Sequence, residues 1–222
     1  MDLKNFTKHL IYQSANTQIP DNFSRFQILH PEYSAHESVV KTYPLPENEH
    51  LFSLLWDIHD GHMLSATILP SQPSFLYEKE FTPGMRTQMH SHEYLELFYI
   101  IDGEYRQKIL GNEFTFHRGE VCLIDKNCLH QDYLTDQSGV VLFIGIANDM
   151  FTEIMNENST PQKILSFLQS ALLKQKDVQQ FLHFRPSDGA SESLDDSLLL
   201  LLKESYSPDS GSRYITKALL FR

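Results

Sequence analysis

A chain of 222 residues with 18 Lys and Arg against 29 Asp and Glu carries a formal charge of −11, long enough for one core or one domain with an appendage. That balance excludes an electrostatic footprint for nucleic acid on this chain taken alone. Two cysteines, Cys122 and Cys128, make no secreted disulfide framework, and the opening MDLKNFTKHL lacks an apolar run of signal-peptide or membrane-spanning length, so a cytoplasmic protein with free thiols and no membrane partner is expected.

In chain order, Pro20, Pro31, Pro44, Pro46 and Pro70 cut the first 70 residues into short pieces, which predicts an N-terminal wrap with a few strands. His59 and His62 flank Asp60-Gly61, a turn signal that places both at the surface. From Phe75 to Ala147 the segments FLYEKEF, YLELFYII, EYRQKIL, EFTF, VCLID and VVLFIGIA are rich in β-branched and aromatic residues and read as strands. Asp102-Gly103 and Gly111-Asn112 are the hairpin signals between them. Within VCLI, Cys122 reads as a small buried hydrophobe. His117, ending a strand beside Arg118, should be solvated.

After Asp149 the period lengthens. Ile164, Leu165, Leu168, Ala171 and Leu172 fall at helical spacing, with Thr160 as N-cap and Pro161 at the first helical position. A polar gap, Arg185 to Ser193, precedes LDDSLLLLLKESY, whose five consecutive leucines exceed what one face of an isolated helix can hide. They need the barrel, the neighbouring helix or a second subunit, which makes Leu165, Leu168, Leu172, Leu199 and Leu202 candidates for a homodimer interface. SPDSGS breaks the chain before RYITKALLFR, a third helical start without a cap, as if the chain were cut short. The expected division is a barrel with N-terminal elaboration over 1–148 and a helical dimerisation or linker segment over 149–222.

The chemistry concentrates in Gly84 through Gly103, GMRTQMHSHEYLELFYIIDG. In an extended run His90, His92 and Glu96 share parity and project to one side, and His130 joins them about one hairpin later. Three neutral nitrogens and one carboxylate suit one divalent transition metal (Zn, Ni, Mn, Fe or Co) and suit Ca or Mg poorly. Four protein ligands leave open positions only on a five- or six-coordinate ion. The same residues could instead form a hydrogen-bonded polar cluster or line a pocket without metal, since buried His and Glu need partners either way. Tyr94 and Phe98 share the ligands' parity, Glu93 has the opposite one and should face away, and Cys128 lies two residues before His130.

The spacing G-x5-H-x-H-x3-E-x6-G, met by Gly84, His90, His92, Glu96 and Gly103, resembles the first motif of the cupin superfamily. The second motif, G-x5-P-x-G-x2-H-x3-N, keeps Gly119 and His130 and departs at Asp125, Asn127 and Leu134. Gly119-Glu120 followed by Ile124 to His130 is similar to the form found in sensor domains of AraC-type transcription regulators, with Lys126 where Pro is usual, and ELFYIIDGEY resembles the strand after their histidines. The resemblance covers roughly 75–147. It implies a mainly β fold, a cupin double-stranded β-helix (jelly-roll) barrel followed by an α-helical segment. It further implies a small-molecule effector in the barrel, with Tyr94, Phe98, Tyr105 and Cys128 as pocket candidates, and dimerisation through the helices. DNA would be bound only through a C-terminal helix-turn-helix domain absent from this chain. Two rivals remain: a metal-dependent cupin enzyme, oxygenase or isomerase, using the three-His one-Glu site, and a stand-alone binding or scaffold protein that dimerises through 161–206.

Overall fold

A computed structural model describes residues 1–14, 16, 18, 40–45, 49–71, 73–155, 161–172, 180–187 and 190–220; Pro20, Pro31, Pro46 and Thr160, singled out above, lie outside them. The chain opens with an unforeseen helix, α1 (Leu3–Tyr12), whose first turn is capped by the Asp2 carboxylate accepting from Asn5 N–H at 2.8 Å. Leu3, Phe6, Leu10 and Ile11 form its buried stripe. Strands β1 (Lys41–Tyr43), β2 (Leu51–His59), β3 (Met63–Leu69), β4 (Tyr77–Glu80), β5 (Met85–Arg86) and β6 (His90–His92) follow. Then come β7 (Leu95–Ile109), β8 (Asn112–His117), β9 (Val121–Ile124), β10 (His130–Leu134) and β11 (Gly139–Ile146). The remainder is α2 (Asn148–Met155), α3 (Gln162–Leu172), strand β12 (Phe181–Phe184), α4 (Ala190–Tyr206) and α5 (Ser212–Leu220).

The strands form one curled 12-stranded sheet with the path β1-β6-β10-β7-β11-β2-β3-β4. Its longest strand, β7, serves two halves: 96–99 pair with β9 and 95–103 with β11, whereas 104–109 pair with β8 and 106–109 with β10. Asp102-Gly103 is therefore no hairpin. It is the corner where β7 passes between halves, Gly103 at φ 71° facing Gly139. A Cβ on Gly103 would collide with the Ser138 carbonyl oxygen, and one on Gly139 with that of Glu104, so β7 and β11 cross here at glycine-only separation. The β7–β8 hairpin does form, with Leu110 (φ 50°) and Gly111 (φ 85°) as its turn pair, one residue earlier than Gly111-Asn112. Asp60 and Gly61 turn β2 into β3 in the same left-handed way. The early segment contributes more than a wrap, because β2 and β3 are full strands of the barrel sheet.

Alternation along these strands divides the apolar side chains into two cores. Phe52, Leu54, Trp56 and Ile58 of β2, Phe98 and Tyr105 of β7, and Phe143 of β11 fill the barrel. Leu55, Tyr99, Ile101, Leu142 and Ile144 face outward and meet α1, α3 and α4. Of the proposed dimer leucines, Leu168 and Leu202 are buried in this outer core, Leu199 is half-buried against it and Leu165 is half-buried; the Leu172 side chain lies outside the described ones. Leu200, by contrast, is 46% exposed. The helical segment also returns a strand to the barrel: β12 pairs antiparallel with β9, from Phe181↔Ile124 to Phe184↔Val121, so the sheet draws on both sides of the 148/149 boundary. Among the described residues no helix is long and apolar enough to cross a membrane.

Candidate metal centre and mouth

The three histidines meet because β6 lies between β1 and β10. His90 pairs with Lys41 on one side and with His130 on the other, and alternation turns His92 inward with them. Their ligand atoms lie within 4.8 Å of one another, and all three residues are buried. His90 Nδ1 is 2.7 Å from the Gln88 carbonyl and His130 Nδ1 3.0 Å from that of Cys128. A carbonyl only accepts, so each Nδ1 donates and each Nε2 carries the lone pair. His130 Nε2 and both nitrogens of His92 are buried without a hydrogen bond; the His92 ring stacks on Tyr94 at 4.4 Å and 8°.

Glu96, on β7, presents Oε2 at 3.6 Å from His92 Nδ1 and Oε1 at 3.7 Å from His130 Nε2. Burial, then the nearby Asp132 carboxylate, pushes its pKa well above the usual carboxylate range. Burial likewise pushes His92 well below the usual imidazole value, helped by His130 and His90, and takes His130 down to about 3. Burial thus disfavours charge on His92, His130 and Glu96 alike. With bonds of about 2.1 Å, a tetrahedral ion separates its ligand atoms by roughly 3.4 Å, close to the spacings between Glu96 and the two histidines. Orphaned lone pairs, donor chemistry and spacing together fit a divalent transition metal held by His90, His92, His130 and Glu96.

Asp132 was missed in the sequence. It lies two residues after His130 on β10, so the parity that gathered the other candidates would have found it. Its carboxylate accepts from Gln107 Nε2 at 2.9 Å, from Thr87 Oγ1 at 3.0 Å and from the Tyr105 hydroxyl. Oδ2 lies 3.9 Å from His90 Nε2. Burial alone would raise it, but His90, His130 and these donors hold it below the ordinary carboxylate range.

Tyr94, Phe98, Tyr105 and Cys128 are all fully buried in the inner core. Phe98 packs edge-on against Phe116 and Tyr105, Tyr105 is engaged by Asp132, and burial pushes the Cys128 thiol up to about 12, which makes it inert. None of the four lines the opening next to the cluster. That opening is a cavity of about 470 Å³ whose lining includes Thr42, Ser91, His92, Glu93, Lys126 and Asn127. Glu93 is exposed, as its parity required, and His62 and His117 are also exposed; His59 bridges Asp60 and Ser65 at the surface turn.

The sequence family described as "Cupin domain" matches residues 77–144, a span containing His90, His92, Glu96 and His130. No curated protein sequence matches significantly. Similar solved structures include an apo variant of ToxT from Vibrio cholerae strain SCE256, at 13% identity and TM-score 0.47, covering 78% of this chain and 54% of that one. Unsaturated fatty acid bound wild-type ToxT from the same strain gives 13% and 0.43, covering 80% and 53%. KdgF from Halomonas sp. gives 14% and 0.27, covering 43% and 78%. The chain spans about half the length of the ToxT structures it matches. The spacing of Gly84 through Gly103, the inward-turned His90, His92, Glu96 and His130 and the family match agree on a cupin domain over residues 77–144.

Proposed function

We propose that this chain is the effector-sensing and dimerisation region of an AraC-type transcription regulator, with a small molecule taken at the barrel mouth and a divalent metal held beneath it. DNA is reached through another domain of the whole protein, a charge of −11 opposing association of this chain with a polyanion. The observation that carries the reading is the connection from mouth to helices. The turn from Asp125 to Cys128 supplies Lys126 and Asn127 to the cavity, a carbonyl to the His92 N–H at 3.1 Å and another to His130 Nδ1. That turn continues β9, which is paired along its length to β12, with Asp125 N–H donating to Gln180 O at 2.9 Å. The chain leaves β12 towards α4, and α4 is tied back to β7 by the Tyr99 hydroxyl donating to Asp195 at 2.5 Å. A ligand that binds one arrangement of the turn better than another shifts the population of helix positions by its differential affinity.

When bound, the metal supplies positive charge and open positions for a ligand's oxygen. The chain's own residues fix the tautomers of His90 and His130 and shut water from the cluster's inner side. Self-association draws on the apolar side chains left outside, Leu200 of α4 and Tyr214 and Ile215 of α5. A metal-dependent enzyme is the second reading, favoured by the cavity opening directly onto His92.

Sedimentation and metal analysis of untagged protein test the proposal, together with fusion of the chain to a DNA-binding domain that represses a reporter only as a dimer. The expected result is a dimer at micromolar concentration and repression that responds to a small molecule. A monomer under all conditions, or turnover of an added substrate with stoichiometric metal, would overturn it.

A further inference from the structure

We infer that Asp132 is a second carboxylate ligand of the metal centre, which makes the ligand set three imidazole nitrogens and two carboxylate oxygens; the inference rests on the metal proposed above and completes its coordination. Alternation along β10 turns Asp132 to the same face as His130, and the register sets it opposite Gln107. Its two oxygens are unequally occupied. Oδ1 accepts from both the Tyr105 hydroxyl and Gln107 Nε2, whereas Oδ2 accepts from Thr87 Oγ1. That hydroxyl is itself fixed, because its oxygen accepts from the Asp132 N–H at 2.9 Å. A carboxylate has about four lone-pair directions, so Oδ2 is the oxygen with room to bind. It is also the one that faces His90 Nε2, at 3.9 Å.

The spacing is that of atoms sharing an ion. Two ligand atoms with bonds of about 2.1 Å stand between about 3.0 Å (adjacent, octahedral) and about 4.2 Å (opposed) apart. The gap from Asp132 to His90 falls in that interval, as do the 3.6 and 3.7 Å from Glu96 to His92 and His130. Each histidine thus has a carboxylate oxygen at ion-sharing distance: Glu96 serves two of them and Asp132 the third. Charge points the same way. The cluster is buried, where one carboxylate against a divalent ion would leave a net positive charge and two offset it. Five protein ligands exceed what tetrahedral zinc takes and leave one position on a six-coordinate ion, and carboxylate-rich sets suit the Mn, Fe and Co side of the series. The centre is therefore built for such an ion, with a single position for an outside ligand.

The test uses the full 222-residue protein without a tag, stripped of metal and reloaded with Mn2+ or Co2+. A crystal structure of the loaded protein should place Asp132 Oδ2 about 2.2 Å from the ion, beside the three histidines and Glu96. In chelator competition Asp132→Asn should hold Mn2+ about tenfold or more weakly, while its metal-free form still unfolds cooperatively in urea. The visible absorption of the Co2+ form should also change in this variant, as it does when a ligand is exchanged and not when a distant charge is removed. An ion seated on the histidines and Glu96 with Asp132 Oδ2 beyond about 3 Å overturns the inference, and so does a variant with unchanged affinity and an unchanged Co2+ spectrum. Either result leaves the metal on the other four residues. Protein that takes up neither ion removes the metal reading itself and this inference with it. The structure of the unsubstituted protein decides even where Asp132→Asn fails to fold.

Discussion

The two cores of this molecule share one sheet and differ in what they tolerate. Outside the barrel, Leu55, Leu142, Ile144, Leu168, Leu198 and Leu202 form an apolar layer in which the Tyr99 hydroxyl finds Asp195. Inside, an aromatic core of Trp56, Tyr94, Phe98, Phe116 and Phe143 surrounds a cluster whose polar atoms are left unpaired: both nitrogens of His92, Nε2 of His130 and Oε1 of Glu96. Unpaired buried polar atoms cost stability. A core that keeps them together in a rigid aromatic frame is arranged for binding, while the outer core is arranged for holding helices.

The corner shared by both cores gives the largest expected effect. Gly103→Val drives a side chain into the Ser138 carbonyl at a left-handed position, which should cost about 4 kcal/mol or more and abolish cooperative unfolding in urea. Leu202→Ala, in the outer core alone, should cost about 2–5 kcal/mol by the same measurement while leaving metal stoichiometry unchanged. His92→Phe should do the opposite in the inner core. It removes two unpartnered nitrogens and keeps a ring against Tyr94, so the metal-free protein should gain about 1 kcal/mol while bound metal is lost in elemental analysis. If both substitutions destabilise the metal-free protein alike, the contrast between the cores fails.

Acid sharpens the same comparison. His92 and His130 have folded values below the ordinary imidazole value of about 6.5, His130 at about 3. The unfolded chain therefore takes up protons first as pH falls, and the stability present above about 6.5 is lost progressively towards His130's folded value. Glu96, raised by burial, works the other way by taking up its proton first in the folded protein; with two histidines against one carboxyl, thermal melts of stripped protein should drop from pH 7 to pH 4, and His92→Phe should flatten that slope. The smallest effect belongs to the tie between β7 and α4, where Tyr99→Phe should cost about 1 kcal/mol and leave metal binding intact. A double-mutant cycle with Asp195→Asn checks whether that loss is the shared hydrogen bond.

The inner core was the more legible of the two, because parity is a local property. His90, His92, Glu96 and the neighbouring Tyr94 and Phe98 turn inward as their spacing required, and only Asp132, two places beyond His130, was overlooked. The outer core depends on contacts distant in sequence. Leucines that are too many for one helix face announce a need for a partner, but nothing local says that the partner is α1 and the back of the sheet. That helix was itself readable from Asp2 as cap and from Leu3, Phe6, Leu10 and Ile11 as stripe. Asp102-Gly103 misled because a glycine at positive φ serves a hairpin and a crossing of strands equally well. FLHF was hidden because four residues beside a polar stretch carry too little pattern to mark a strand.

Strand β12 has a consequence for any shortened form of this protein. Within the sheet β9 has two neighbours, β7 and β12. A chain stopped after Ala147 would keep every cupin motif and still lose one of them, leaving Val121–Ile124, a run of apolar side chains, with an open row of backbone donors and acceptors. Such an edge is a template for strand addition from another molecule. A minimal barrel cut by its motifs would thus self-associate through β9, and its oligomeric state would report the cut and not the native assembly.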